Sequence, residues 1–263
     1  MYETDHPAYK KLQEIGLEIT TKVKPKAVVV FSAHWQAEKD RVRVNVAEKT
    51  DLIYELLYDI SFYNFPAHYY EETYPNVGSQ EIAQKVLDLL GEAGIKAEGV
   101  ERGLDHGVWA SFKCAFDPER NPLNVPLVQV SLFNSEDPDQ HYRLGEAISA
   151  LRQENIQVVV SGMAVHNLRD LRVARSSGKV EDRAYTISFD EALKEAVTAP
   201  PTERQKKMAA LLDRPDARQA HPEFDHLLPI YIGAGAAGSD SAERLFTLAQ
   251  GSLSWAQYRF GTV

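Results

Sequence analysis

The sequence predicts an α/β fold, read as one domain, on three observations. Strand-length apolar runs occur at 27–33, 125–133 and 156–161, helix-spaced segments separate them, and no fixed-period repeat, low-complexity tract or linker divides the chain. Continuous apolar runs suit strands buried on both faces, as in parallel sheets. Two of these runs lead to a histidine: Phe31-Ser32-Ala33-His34-Trp35 closes one, and Ser161-Gly162-Met163-Ala164-Val165-His166-Asn167 closes another. Sites in open α/β sheets form at the carboxyl ends of strands, and an imidazole there can bind a metal or move a proton.

Each element follows from local pattern. Helical spacing starts at Pro7, whose missing N–H costs nothing in a first turn, and runs to about residue 20. The strand at 27–33 is expected to leave the sheet at His34. Alternation in Val42-Arg43-Val44-Asn45-Val46 suggests a half-exposed strand at or near an edge. Between 51 and 75 comes an aromatic stretch, Tyr54, Tyr58, Phe62, Tyr63, Phe65, Tyr69, Tyr70 and Tyr74, punctuated by Pro66 and Pro75. It reads either as a loop packed by its own rings or as the lining of a pocket for a flat ligand. A helix over 79–90 precedes a short strand over 95–100, with Gly91 and Gly94 marking the turn. The second half repeats the grammar with a strand at 125–133, a helix at 140–154 and a strand at 156–161 feeding His166. Residues 175–183 read as a polar surface loop, 189–197 as a helix ended by Pro200-Pro201, 224–235 as a buried helix with Pro229 near its first turn, and 252–260 as a last strand.

Composition narrows the function. With 38 acidic against 29 basic residues the formal net charge is -9, which offers no footprint for a nucleic-acid backbone or an anionic membrane. A small-molecule partner is the default. The single cysteine, Cys114, has no internal disulfide partner and reads as a buried thiol in a reducing compartment. No apolar run approaches the roughly 20 residues that span a bilayer, and Met1-Tyr2-Glu3-Thr4-Asp5 is too polar for a signal peptide. A cytoplasmic enzyme is the class these features favour.

Eight histidines are present, and they are not equivalent. His34 and His166 follow apolar strands, and Asn167 beside the latter is a residue that holds either a loop or a substrate oxygen. His106 lies in the glycine-bracketed loop Gly103-Leu104-Asp105-His106-Gly107, where Asp105 is placed to support its charged form. His226 opens an apolar helix, where its imidazole is short of water and needs a partner such as a metal. His6 resembles an N-cap neighbour, and His68, His141 and His221 read as surface or packing residues. No HExxH, CxxC, GxSxG or GxxxxGK[ST] signature occurs, so zincin, zinc-finger, serine-hydrolase and P-loop readings lack support. Spacing leaves a distributed histidine site.

Taken together, Ser32-Ala33-His34-Trp35, Leu104-Asp105-His106-Gly107-Val108-Trp109, the 161–168 segment and Asp225-His226-Leu227-Leu228-Pro229 resemble the class III extradiol ring-cleavage dioxygenases, in the DOPA-dioxygenase-like branch. Phe65-Pro66, Tyr74-Pro75, Gly78 and Val125-Pro126-Leu127-Val128-Gln129-Val130-Ser131 fall in the family's order, and the likeness covers nearly the whole chain. The resemblance implies a three-layer α/β/α domain around a central mixed, largely parallel sheet. It implies one divalent metal, Fe(II) for the dioxygenase chemistry or Zn(II) as a bound form. It makes His34 and His226 ligands, His166 a further ligand or the acid/base, and His106 a residue that hydrogen-bonds the catechol or dioxygen. One departure stands out: the family opens with a strand ending in a His-Gly-x-Pro-like motif carrying another ligand, and this chain starts downstream of it. The first strand is therefore expected to be missing, and His6 replaces the ligand only if the helix start folds back.

The expected activity is the opening of a catechol-type ring, a small aromatic diol, with O2. A metal-dependent hydrolase using zinc-activated water, and a non-catalytic binding protein lacking a full ligand set, are the rival readings.

Overall fold

The computed structural model describes residues 3–53, 67–178 and 180–263. In chain order it contains α1 (Pro7–Glu18), β1 (Ala27–Gln36), β2 (Arg41–Asn45), α2 (Gln80–Glu92), β3 (Lys96–Val100), α3 (His106–Ala115), β4 (Leu127–Leu132), α4 (Pro138–Ala147) and β5 (Ile156–Ser161). The C-terminal part adds β6 (Val165–His166), α5 (Leu168–Ser176), α6 (Ala184–Val197), α7 (Pro201–Ala209), α8 (Ala217–Ala220), α9 (Pro229–Ala237), β7 (Ala242–Phe246), β8 (Ala249–Gln250), β9 (Leu253–Ser254) and β10 (Gln257–Phe260). Tyr54, Tyr58, Phe62, Tyr63, Phe65 and Pro66 of the aromatic stretch lie outside the described residues.

Alternation along β1 builds the layers, because successive side chains of a strand point to opposite faces. Ala27, Val29 and Phe31 pack with Val86 and Leu90 of α2, Leu144 of α4 and Ile232 of α9. Val28 and Val30 pack on the other face with Val108, Trp109 and Phe112 of α3, and Leu12 of α1 joins them. Helices thus cover both faces of a five-stranded sheet ordered β3-β2-β4-β1-β5. β1 runs parallel to β4 and β5, β2 parallel to β3, and β2 is antiparallel to β4, giving the expected mixed, largely parallel sheet. A third cluster, built from Phe189 and Leu193 of α6, Met208 of α7, Phe224 and Tyr231, lies against the outer side of α9.

Several elements differ from the sequence expectation, each for a local reason. β1 continues through His34 to Gln36 instead of leaving the sheet. α3 replaces the expected loop around His106, started by Asp105, whose carboxylate accepts from the Val108 N–H. The segment after His166 is helical, capped by Asn167, whose side chain accepts from the Asp170 N–H, and it buries Leu171 and Ala174. The helix expected over 140–154 splits into α4 and a 3-10 turn at Ser149–Glu154. Pro201 opens a new helix as well as closing off the previous one, and the buried C-terminal helix starts at Pro229 rather than 224. The expected last strand is two strands, β9 and β10, in different small sheets.

Candidate active site

The site begins at the carboxyl ends of β1 and β5, which stay in register up to the pair Ser32 and Ser161. Against β4 the register jumps from Phe31 opposite Val130 to Gln36 opposite Leu132, so residues 32–35 form a bulge. Polar side chains of three adjacent strands turn from there to the first turn of α3. Ser32 Oγ donates to Asp105 Oδ1 at 2.7 Å, Gln129 Nε2 donates to Asp105 Oδ2, and Ser161 Oγ donates to the Gly107 carbonyl at 2.7 Å. This places His34, on the bulge, beside His106, the first residue of α3, with ring centroids 3.9 Å apart. Asp105, expected to support the charge of His106, spends its carboxylate on the strands and on the helix start.

The C-terminal part brings the other two rings. His226 sits in the turn before α9, where the Met163 N–H donates to its carbonyl at 2.8 Å. Gly162 allows that approach, since a Cβ there would lie 2.2 Å from the His226 carbonyl oxygen. The strand at 156–161 stops short of His166. That residue instead belongs to β6, which pairs antiparallel with β9 through Leu253 in a separate three-stranded sheet. His166 stacks on His226 with centroids 3.7 Å apart and planes 14° from parallel. His226 meets His34 edge-on at 4.8 Å, with the two Nε2 atoms 3.2 Å apart.

Electrostatics keep two of these rings neutral. Burial, then the neighbouring imidazoles of His106, His226 and His166, lowers His34 to about 2. Burial and then His226 lower His166 to about 3, with Asp225 opposing. Burial works to raise the Asp225 carboxyl, yet the His226 ring, 3.0 Å away from its Oδ2, holds it below its usual value. His226 Nδ1 and Asp225 Oδ2 are thus the contact through which the carboxylate and this imidazole act on each other.

The family model described as "Catalytic LigB subunit of aromatic ring-opening dioxygenase" matches residues 1–256. The chain belongs to this family of class III extradiol dioxygenases. Among relatives of this ring-cleaving oxidoreductase, "4,5-DOPA dioxygenase extradiol" of Beta vulgaris is 33% identical over 260 residues, covering 97% of this chain and 90% of that protein. "4,5-DOPA dioxygenase extradiol-like protein" of Schizosaccharomyces pombe is 34% identical over 237 residues, covering 89% and 75%. A crystal structure of "uncharacterized protein JW3007" from Escherichia coli K12 superposes with a TM-score of 0.74 at 27% identity, covering 95% of this chain and 91% of that one. The family fixes an aromatic substrate and O2 as reactants and makes the enzyme metal-dependent.

The donor set of this dioxygenase suits a divalent ion at one point. Two imidazoles that face each other through Nε2 oppose their lone pairs unless a proton or a cation lies between them. The 3.2 Å separation is that of two nitrogens each about 2.1 Å from one ion. Among the described residues no group of three or more His, Cys, Asp or Glu side chains is arranged to hold an ion. The ring of His166 lies flat on His226 and is not part of the closed nitrogen pair.

Asn167, His6 and His221 serve the fold through local contacts. Asn167 caps α5, its Oδ1 accepting from the Asp170 N–H at 3.0 Å and its Nδ2 donating to the Gln219 carbonyl at 2.8 Å. Of its two expected roles, holding a loop is the one these contacts serve, although the side chain also lines a cavity of about 440 Å³ with Arg169, Asp170 and Tyr185. His6 caps α1, accepting from the Ala8 N–H, and packs on Trp255. His221, read as packing, is fully buried and its Nε2 holds the Ala164 carbonyl at 2.9 Å, two residues before His166. Sequence reasoning missed Ser32, Gln129 and Ser161 as site residues; each is a polar side chain in a predominantly apolar run, a signal that Ser131 and Gln157 share and that does not single them out.

Proposed function

We propose that the protein opens a catechol-type ring with dioxygen beside its vicinal hydroxyls, using Fe(II) held by His34 and His226. The Nε2 pair at 3.2 Å, flanked by two further imidazoles where β1 ends, carries this reading. Fe(II) with open positions supplies the chemistry that closed-shell catechol and ground-state dioxygen lack, by passing electron density between them. His166 is the acid/base. Its ring lies beside the nitrogen pair, stacked on His226, where it would take a catechol hydroxyl proton and return it as the ring opens. His106, against His34, hydrogen-bonds the catechol or dioxygen. We also read the chain as one catalytic domain, and the buried free thiol of Cys114 supports a reducing compartment such as the cytoplasm.

The test is oxygen uptake by the iron-reconstituted protein with a panel of catechols. Consumption of dioxygen in equal amount with the catechol, with appearance of a ring-opened chromophore, is the expected result. No uptake across the panel overturns the proposal, as does anaerobic turnover of an ester or amide by the zinc form, which assigns the site to hydrolysis.

A further inference from the structure

Asp105 is a buried carboxylate with an unusual number of donors. It is fully buried, and its two oxygens accept from Ser32 Oγ, the Val108 N–H, Gln129 Nε2 and Arg102 Nη1. An ionised carboxylate is an acceptor with about four lone-pair sites, so this set saturates it. The donors come from β1, β4, the first turn of α3 and the segment before it. All four converge where β1 is out of register with β4 and the ladder no longer fixes its backbone. Within the bulge the His34 N–H donates to Ser32 Oγ at 3.2 Å, and that hydroxyl donates onward to Asp105. Arg102, which also reaches Asp105, lies over the Trp35 ring at 4.6 Å, on the other side of His34 in the chain. Packing leaves no slack: a Cβ at Gly107 would come within 2.4 Å of Ser32 Oγ, 3.0 Å of His34 Cδ2 and 3.1 Å of Asp105 Oδ1.

We infer that Asp105 is a positioning residue for the metal centre. Through Ser32 it fixes the bulge that aims His34, and by capping α3 it fixes His106 against the same ring. This deepens the function proposed above and rests on His34 being a ligand. An outer carboxylate that orients ligands typically accounts for roughly tenfold to hundredfold in metal affinity.

Co²⁺ titrated into the metal-free full chain reads this directly, because its visible absorption reports the number and arrangement of ligands without any turnover. For Asp105→Asn, which puts amide donors against Gln129 and Arg102, the expected result is Co²⁺ affinity lower by roughly tenfold or more with an altered visible spectrum. Ser32→Ala, which cuts the link to His34 while leaving the α3 cap, should move both readouts in the same direction by less, and it decides the matter alone if Asp105→Asn does not fold. Leu90→Ala, a cavity in α2 against the opposite face of the sheet, should lower the melting temperature and leave affinity and spectrum as they were. Wild-type affinity and spectrum in Asp105→Asn, or in Ser32→Ala where only that variant folds, overturn the inference and leave the proposed function standing. An unaltered chain that binds no Co²⁺ overturns both.

Discussion

At the scale of single residues, the four imidazoles divide into roles that mutation separates. His226→Ala removes one nitrogen of the closed pair and should abolish stoichiometric iron, measured by elemental analysis. His166→Ala should keep its iron and lose roughly 10²- to 10⁴-fold in kcat, the usual range for general acid/base catalysis, so metal loss in this variant makes His166 a ligand instead. A third test uses pH on the metal-free protein. His221 is held at about 4 against an ordinary 6.5 because burial penalises its charged form, and its buried Nδ1 has no acceptor for a second proton among the described residues. As pH falls, the unfolded chain takes the proton first. Its contribution to stability is therefore complete above about pH 6.5 and declines towards pH 4, by up to about 3 kcal/mol. His34 and His166 act in the same direction. Urea midpoints measured from pH 7.5 down to 4.5 should fall, and His221→Gln, which keeps a donor towards Ala164, should make that fall shallower. The histidines themselves were legible because a histidine after an apolar strand is a visible event in a sequence. Asp105 was legible only as a neighbour of His106, since nothing local in the chain says that its partners come from β1 and β4.

Elements dominated by apolar residues were the more legible. β1, β4 and β5 are predominantly apolar runs, the first two inside the sheet and β5 at its edge, and the boundaries of β5 agree with the sequence reading to the residue. α5 was missed although Leu168, Leu171 and Ala174 recur at helical spacing, whereas α9, apolar on every side because it is sandwiched between two clusters, was legible as a buried helix. That sandwich depends on close approach between α4 and α9. A Cβ at Gly145 would lie 2.0 Å from the Ile232 carbonyl oxygen, and one at Gly235 would lie 2.0 Å from that of Tyr142. Gly145→Ala and Gly235→Ala should each force the helices apart and destabilise by about 1 to 3 kcal/mol, read as a lower midpoint of thermal or chemical unfolding. Gly162→Ala presses on the backbone of His226 and should also weaken iron binding, whereas Gly145→Ala should not.

On the scale of the whole molecule, the layered sheet and the C-terminal cluster meet at the histidines, His34 and His106 coming from the first and His166 and His226 from the second. An ion held between the two parts is a cross-link absent from the unfolded chain, so it stabilises by mass action, by about 2.7 kcal/mol at a free concentration 100 times its dissociation constant. Chelation should lower the melting temperature measurably. Zinc should restore it without restoring oxygen uptake, because zinc has no redox chemistry to offer. The sheet order itself was not legible, since strand pairing is a property of chain topology and each run reads the same wherever it lies. The pairing of β6 with β9 has a further consequence. His166 is placed by Leu253, far along the chain and outside the five-stranded sheet, so a change confined to β9 reaches this imidazole without touching the central layers. Leu253→Pro, which breaks that ladder, should therefore leave the central sheet intact while dioxygen consumption falls.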